Sequence, residues 1–347
     1  MSRAETRRRL RGGSALAIPA IAALPATLIL TASPARAADP IVGSVGGYMY
    51  FGAGVTDANP AGDAEAVIIR DGEIHLKAKG SSDNGLNFEV RVEVEAFTST
   101  SDQIDENWAK VSGAFGEVYV GGADTALNEY GGVGVLYSSG PFNYYDPDVS
   151  LAPGAATFIG KDDALSIRYG TPVINGFQAG VSYQPNGNVD GLNDRPVATP
   201  SLGGGGLSDV KDQIAFGASW EGAVSGVALG VGAGYLTGSG PASSDMVHVG
   251  AEAGYAGFTV AAFWNQDDAG VGSDRYGVGA EYRTGPWKIG GGFSQADGAN
   301  EGMLGSFGFT YALAPGVDAV GVVQVGDQTG DGIDTSWAAA TALAVRF

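Results

Sequence analysis

Thr335-Ser336-Trp337-Ala338-Ala339-Ala340-Thr341-Ala342-Leu343-Ala344-Val345-Arg346-Phe347, at the end of the sequence, is the stretch whose reading decides the fold. Trp337, Ala339, Thr341, Leu343, Val345 and Phe347 recur at period two, and Ser336, Ala338, Ala340, Ala342, Ala344 and Arg346 take the other face. That alternation is the mark of a strand with one apolar side. With an aromatic residue last, the segment has to find both neighbours among strands already made. Closing the sheet into a barrel is the simplest solution. In a membrane closure is obligatory, because an open edge leaves N–H and C=O groups unpaired in hydrocarbon at several kcal/mol each.

The other end of the chain reads as a targeting segment. Arg7, Arg8, Arg9 and Arg11 form a basic head, Ser14 to Leu30 an apolar body, and Ala35-Arg36-Ala37 a small-residue cleavage site. This is the pattern of a secretory signal peptide covering residues 1–38 and cut near Ala37 or Ala38. A membrane anchor is the competing reading, but Pro19 and Pro25 interrupt a body already short for a span. Residues 39–347 then form the expected barrel domain, with 13 basic and 37 acidic side chains. An excess of acid of that size opposes nucleic acid and anionic surfaces as partners. The absence of cysteine removes disulfides, thiolate metal sites and cysteine nucleophiles. Beyond the leader no apolar run reaches the roughly 18 residues that a helical span needs. Short strands with tight turns and small inward side chains fit a chain with 58 glycines.

Sixteen strands can be placed. The first eight are Ile41 to Val55, Glu73 to Lys79, Leu86 to Ala96, Glu106 to Ser112, Glu117 to Gly122, Ala164 to Gly170, Phe177 to Tyr183 and Gln213 to Glu221. The second eight are Val227 to Thr237, Met246 to Tyr255, Phe258 to Gln266, Arg275 to Arg283, Trp287 to Gln295, Met303 to Ala312, Val317 to Gly326 and Ser336 to Phe347. Phe88, Val90, Val92 and Val94 alternate with Glu89, Arg91, Glu93 and Glu95. A dry core would reject the charged set, whereas a water-filled lumen accepts it. Val227, Leu229, Val231, Ala233 and Tyr235 keep the apolar face against Gly230, Gly232 and Gly234.

Connection lengths give an independent test. With these boundaries the odd connections run from 7 to 41 residues and the even ones from 2 to 6. An up-and-down barrel has long loops at one rim and short turns at the other, and a sandwich has no reason to alternate so. Ser81 to Gly85, Ala256-Gly257, Thr284-Gly285-Pro286 and Ala314-Pro315-Gly316 supply the reversal residues. Tyr169, Tyr183, Trp220, Tyr235, Tyr255, Tyr282, Trp287, Tyr311 and Phe347 fall near strand ends, where amphipathic rings form girdles at the headgroups.

From about Ala38 onward the chain resembles the sixteen-stranded general-diffusion porins of Gram-negative bacteria. The resemblance rests on the glycine-turned pairs Gly80 to Gly85 and Gly113 to Gly116, the final Phe347, and the order and spacing of the strands. It implies an all-β, antiparallel up-and-down transmembrane barrel of 16 strands, in the cell outer membrane, with Phe347 read by the barrel-assembly machinery. It also implies a homotrimer, each protomer with its own pore, among outer-membrane lipid. The 41-residue connection Ala123 to Asp163 corresponds to the third loop, which in that family folds into the lumen and narrows it.

If it does so here, Glu129, Asp146 and Asp148 on the loop face Lys77, Lys79, Arg91 and Arg168 on the wall across a narrow wet gap. All four bases lie on inward parity, and opposed charges set a transverse field that tunes ion preference. A solvated loop or rim charge is the competing reading for each of these residues. The acid excess implies mild cation preference. Asp327, Asp331 and Asp334, in Gly-rich sequence, could offer oxygens to Ca²⁺, against the plainer reading of a solvated loop. No cofactor is required, and His75 and His248, both on inward parity, lack the serine and carboxylate of a nucleophile motif, so an enzyme is not expected. Passive passage of small hydrophilic solutes and ions is the function expected. A substrate-selective porin with a binding track, marked by an aromatic ladder, and a plugged structural or adhesive barrel are the alternatives.

Overall fold

The computed structural model describes residues 37–57, 64–97, 104–134, 165–186, 211–240, 245–267, 273–297, 301–328 and 335–347. In chain order the strands are β1 (Ala37–Asp57), β2 (Glu65–Ser82), β3 (Asn87–Glu95), β4 (Ile104–Gly113), β5 (Gly116–Gly122), β6 (Leu165–Gly170), β7 (Phe177–Asn186) and β8 (Lys211–Val224). They continue as β9 (Val227–Ser239), β10 (Met246–Tyr255), β11 (Phe258–Asp267), β12 (Ser273–Thr284), β13 (Trp287–Ala296), β14 (Gly302–Ala314), β15 (Val317–Gln328) and β16 (Ser336–Arg346). Each strand pairs antiparallel with its sequence neighbours, and β1 closes on β16. All sixteen expected strands are present. The closing seam runs from Tyr48 opposite Arg346 to Asp57 opposite Trp337. Beyond it, the Phe347 and Gly47 amides exchange hydrogen bonds of 3.1 and 3.0 Å.

Parity holds along the strands. On β16, Trp337, Thr341 and Leu343 are exposed on the outer wall, and Ala338, Ala340, Ala342 and Ala344 are buried on the inner one. Val323 and Val325 face out on β15 while Gln324 between them is buried. Outward rings collect at the short-turn rim, where Phe258 stacks on Tyr282 with centroids 4.2 Å apart and Trp287 meets Tyr311 at 4.5 Å. Trp264, Tyr276 and Trp337 are exposed near the opposite rim. Ala256 and Gly257 both have positive φ, 50° and 86°, the left-handed pair of a two-residue hairpin whose twist matches the strands it joins.

Several strands run longer than expected, β2 most of all. β2 starts at Glu65 rather than Glu73, because Asp71-Gly72, a turn-forming pair in isolation, continues the strand. Gly72 lies where an added Cβ would meet the Tyr48 carbonyl oxygen at 2.6 Å and the Met49 sulfur at 2.8 Å, so glycine is there for close strand contact. Connection lengths also separate less cleanly than expected. The turn 171–176 has 6 residues, whereas the loops 268–272 and 297–301 each have 5. The longest connection, 123–164, still stands far apart from every turn.

An outer wall in hydrocarbon tolerates no unpaired charge. Val323→Arg, on the outward face of mid-strand β15, is expected to destabilise the barrel folded in phospholipid bilayers by about 2–4 kcal/mol, read from a lowered urea midpoint of refolding.

Candidate functional site

The long connection turns inward at once. Its first residues form α1 (Ala126–Gly131), capped by Thr125, whose hydroxyl accepts from the Asn128 amide at 3.5 Å. α1 packs against β7, β8 and β9, and its Ala126 amide donates to Ser182 Oγ on β7 at 2.9 Å. Leu127 and Ala126 are wholly buried and Tyr130 nearly so. The helix can lie this close because the wall beneath it is glycine. A Cβ on Gly180 would stand 2.1 Å from the Tyr130 ring, on Gly217 2.0 Å from the Ala126 carbonyl oxygen, and on Gly234 2.6 Å from the Leu127 side chain. A Cβ on Gly250 would stand 1.7 Å from the Val133 carbonyl oxygen. Inner glycines of β7 to β10 are therefore the floor on which this part of the loop rests.

Side chains fasten the loop at both ends of that floor. Arg168, on β6 and almost fully buried, donates to the Asp124 carbonyl oxygen and lies 3.5 Å from Glu129 Oε2. Its guanidinium sits over the Tyr119 ring, 4.1 Å from the centroid, a cation–π contact strengthened by desolvation. Tyr130 donates to Glu117 Oε1 at 3.0 Å. Burial pushes its phenol above the ordinary tyrosine range, so the proton stays on Tyr130 and the donor persists. At the far end the fully buried His248 ring lies 3.0 Å from the Val133 carbonyl oxygen through Nε2 and 2.5 Å from Asn265 Oδ1 through Nδ1.

Arg168 and Glu129 were expected to face one another across water. The structure instead puts them in contact, with Arg168 holding the loop, while Glu129 keeps about a third of its side chain exposed at 37%. The remaining expected bases lie on the same inner wall among acids. Lys79 pairs with Glu89 at 2.9 Å, and Arg91 pairs with Glu93. Lys77 stands opposite Arg91 across β2 and β3 and has no ion pair among the described residues. Lys110 was missed. It reaches Glu89 at 3.3 Å and lies over the Trp108 and Tyr119 rings. Inward parity with Glu106, Trp108 and Ser112 on β4 was the signal that could have found it. Asp146 and Asp148 lie outside the described residues, as do Asp331 and Asp334; Asp327 lies in the last part of β15.

The inner surface thus has three sectors. β2 to β6 carry a wall of interleaved charges, β7 to β10 carry the loop, and β14 to β16 with β1 and β2 present Leu304, Val320, Ala340, Tyr50 and Ile69. An apolar outer wall around a charged, loop-lined bore defines an outer-membrane diffusion channel. The chain belongs to the Gram-negative porin family, whose family model matches residues 20–331. Among solved structures, it is similar to the anion-selective porin from Comamonas acidovorans, at 12% identity and a TM-score of 0.63, over 89% of this chain and 100% of that one. A triple mutant of the Rhodopseudomonas blastica porin is similar at 21% identity, with a TM-score of 0.63, over 88% of this chain and 100% of the other. No curated protein matches the chain.

Filling the glycine floor tests the seating of the loop. Gly250→Val is expected to lift the Val133 segment, raising protease cleavage between residues 123 and 164 and changing single-channel conductance, with the barrel's far-ultraviolet spectrum unchanged.

Proposed function

We propose that the channel is a general one, passing small hydrophilic solutes and ions down their gradients, with mild cation preference. The observation that carries this reading is the β2 to β6 wall, where Lys79, Arg91 and Lys110 are matched with acids instead of standing as a free basic face. Glu129 adds a partly exposed carboxylate from the loop side. A binding track would need aromatic faces in series along the bore. Trp108 and Tyr119 meet at 5.1 Å but lie buried under Lys110 and Arg168, and Tyr48 with Tyr50 makes a separate pair.

Several finer points belong to the same proposal. Asp146 and Asp148 complete the acidic side of the constriction. Residues 1–38 direct export and are removed near Ala37 or Ala38, and Phe347 is recognised during assembly into the outer membrane. The chain works as a homotrimer with one pore per protomer. No cofactor is required and no covalent step takes place; Asp327, Asp331 and Asp334 would at most hold Ca²⁺ at the loop rim.

Planar-bilayer recording tests the reading. Stable ohmic steps with a cation-selective reversal potential in a salt gradient are expected. Lys77→Gln combined with Lys110→Gln should move that potential further toward cation selectivity. An unchanged potential would remove these lysines from the ion path, saturable block by one solute would favour a selective porin, and silence from folded protein would favour a plugged barrel.

A further inference from the structure

On the charged wall, three side chains from two adjacent strands converge in a way that passive diffusion does not use. Glu73 and His75 share the inner face of β2, and Glu93 stands opposite His75 on β3. His75 Nε2 lies 2.8 Å from Glu73 Oε2 and 3.7 Å from Glu93 Oε2, and the three ligand atoms fall within 4.8 Å of one another. The other oxygen of each carboxylate is occupied. Tyr48 donates to Glu73 Oε1 at 2.9 Å, and Arg91 pairs with Glu93 Oε1. Two carboxylates are thus held so that their free oxygens point at one imidazole nitrogen.

We propose that Glu73, His75 and Glu93 form a binding site for a borderline divalent cation such as Zn²⁺, Ni²⁺ or Cu²⁺ in the bore wall. Imidazole selects these ions over Mg²⁺ and Ca²⁺, which favour all-oxygen sets. In a tetrahedral site with bonds of about 2.0–2.1 Å, ligand atoms stand roughly 3.3 Å apart, a spacing that the two His75 distances bracket. Tyr48 fills the role of an outer partner that orients a metal-binding carboxylate. Glu93 supports the assignment independently. Its side chain is only 6% exposed, and with Oε1 taken by Arg91 its Oε2 is left facing His75 Nε2 at 3.7 Å, beyond hydrogen-bond reach. Two carboxylates this close repel unless a proton or a cation stands between them.

Arg91 is also the competitor. Its Nη2 lies 3.4 Å from His75 Nδ1. A cation on Nε2 leaves the ring proton on Nδ1, so the guanidinium must turn away as the ion binds. Loading the site therefore adds positive charge to the wall and frees an arginine into the bore, which shifts the channel away from cation selectivity.

Equilibrium dialysis of the folded, detergent-solubilised protein against Zn²⁺ tests the site. A single ion per chain is expected, undisturbed by equal Mg²⁺. His75→Ala should weaken binding by at least about tenfold, and Arg91→Gln, which removes the competing guanidinium, should tighten it. Glu73→Gln, closer in shape, carries the same expected loss if His75→Ala fails to assemble. In bilayers, Zn²⁺ should shift the reversal potential of the wild-type channel toward anions and leave His75→Ala unmoved. Wild-type protein that retains no Zn²⁺, or variants of His75 and Glu73 that bind as the wild type does, would overturn the proposal whatever the channel's solute range.

Discussion

Hydrocarbon offers no partner to a peptide N–H or C=O, so every strand in the membrane must be paired along both edges. Here that demand is met at one seam, where β1 and β16 join from Tyr48 and Arg346 up to Asp57 and Trp337, with Phe347 and Gly47 adding two further bonds. Closing the sheet sorts all later residues into two populations. Successive side chains point alternately into lipid and into the lumen, and one register slip would exchange the whole set. Val323 outside and Gln324 inside, adjacent in sequence, show how sharply the closed wall separates the two environments.

A barrel of sixteen strands is wider than its own inward side chains can fill. The first part of the long connection, residues 123–134, occupies part of that width, and the wall beneath it is shaped to receive it. Glycines at 180, 217, 234 and 250 let backbone and ring atoms approach to distances that no Cβ permits. Arg168 and His248 then fasten the segment at two places on opposite sides of α1. Both are buried, so their chemistry is spent on holding the loop and not offered to solutes. The bore's selectivity falls to what remains partly exposed, notably Glu129, Lys77 and the paired charges of β2 to β5.

These pairings give the wall a particular character. Lys79, Glu89 and Lys110 share charge across three strands, and Arg91 lies between Glu93 and His75. A permeating ion meets alternating signs at close range instead of one potential. Such a surface orients dipolar solutes without trapping them, and it concentrates binding capacity where unlike ligand types converge.

How much of this was legible in the sequence follows from the range of each interaction. Strand number, strand parity and the long third connection were readable, because alternation at Phe88 to Glu95 or Trp337 to Val345 is local and repeats every second residue. The inward placement of Lys77, Lys79, Arg91 and Arg168 follows from the same rule, which also puts Lys110 of β4 on that wall with Glu106 and Trp108. Parity fixes the wall a side chain faces but not its neighbour on the next strand or on an infolded loop. Only the closed tertiary structure decided that Arg168 clamps Asp124 and Glu129, that the inner glycines are a seat for α1, and that His75 meets two carboxylates. Those contacts join residues far apart in the chain, and their geometry depends on strand stagger and curvature that no single segment encodes.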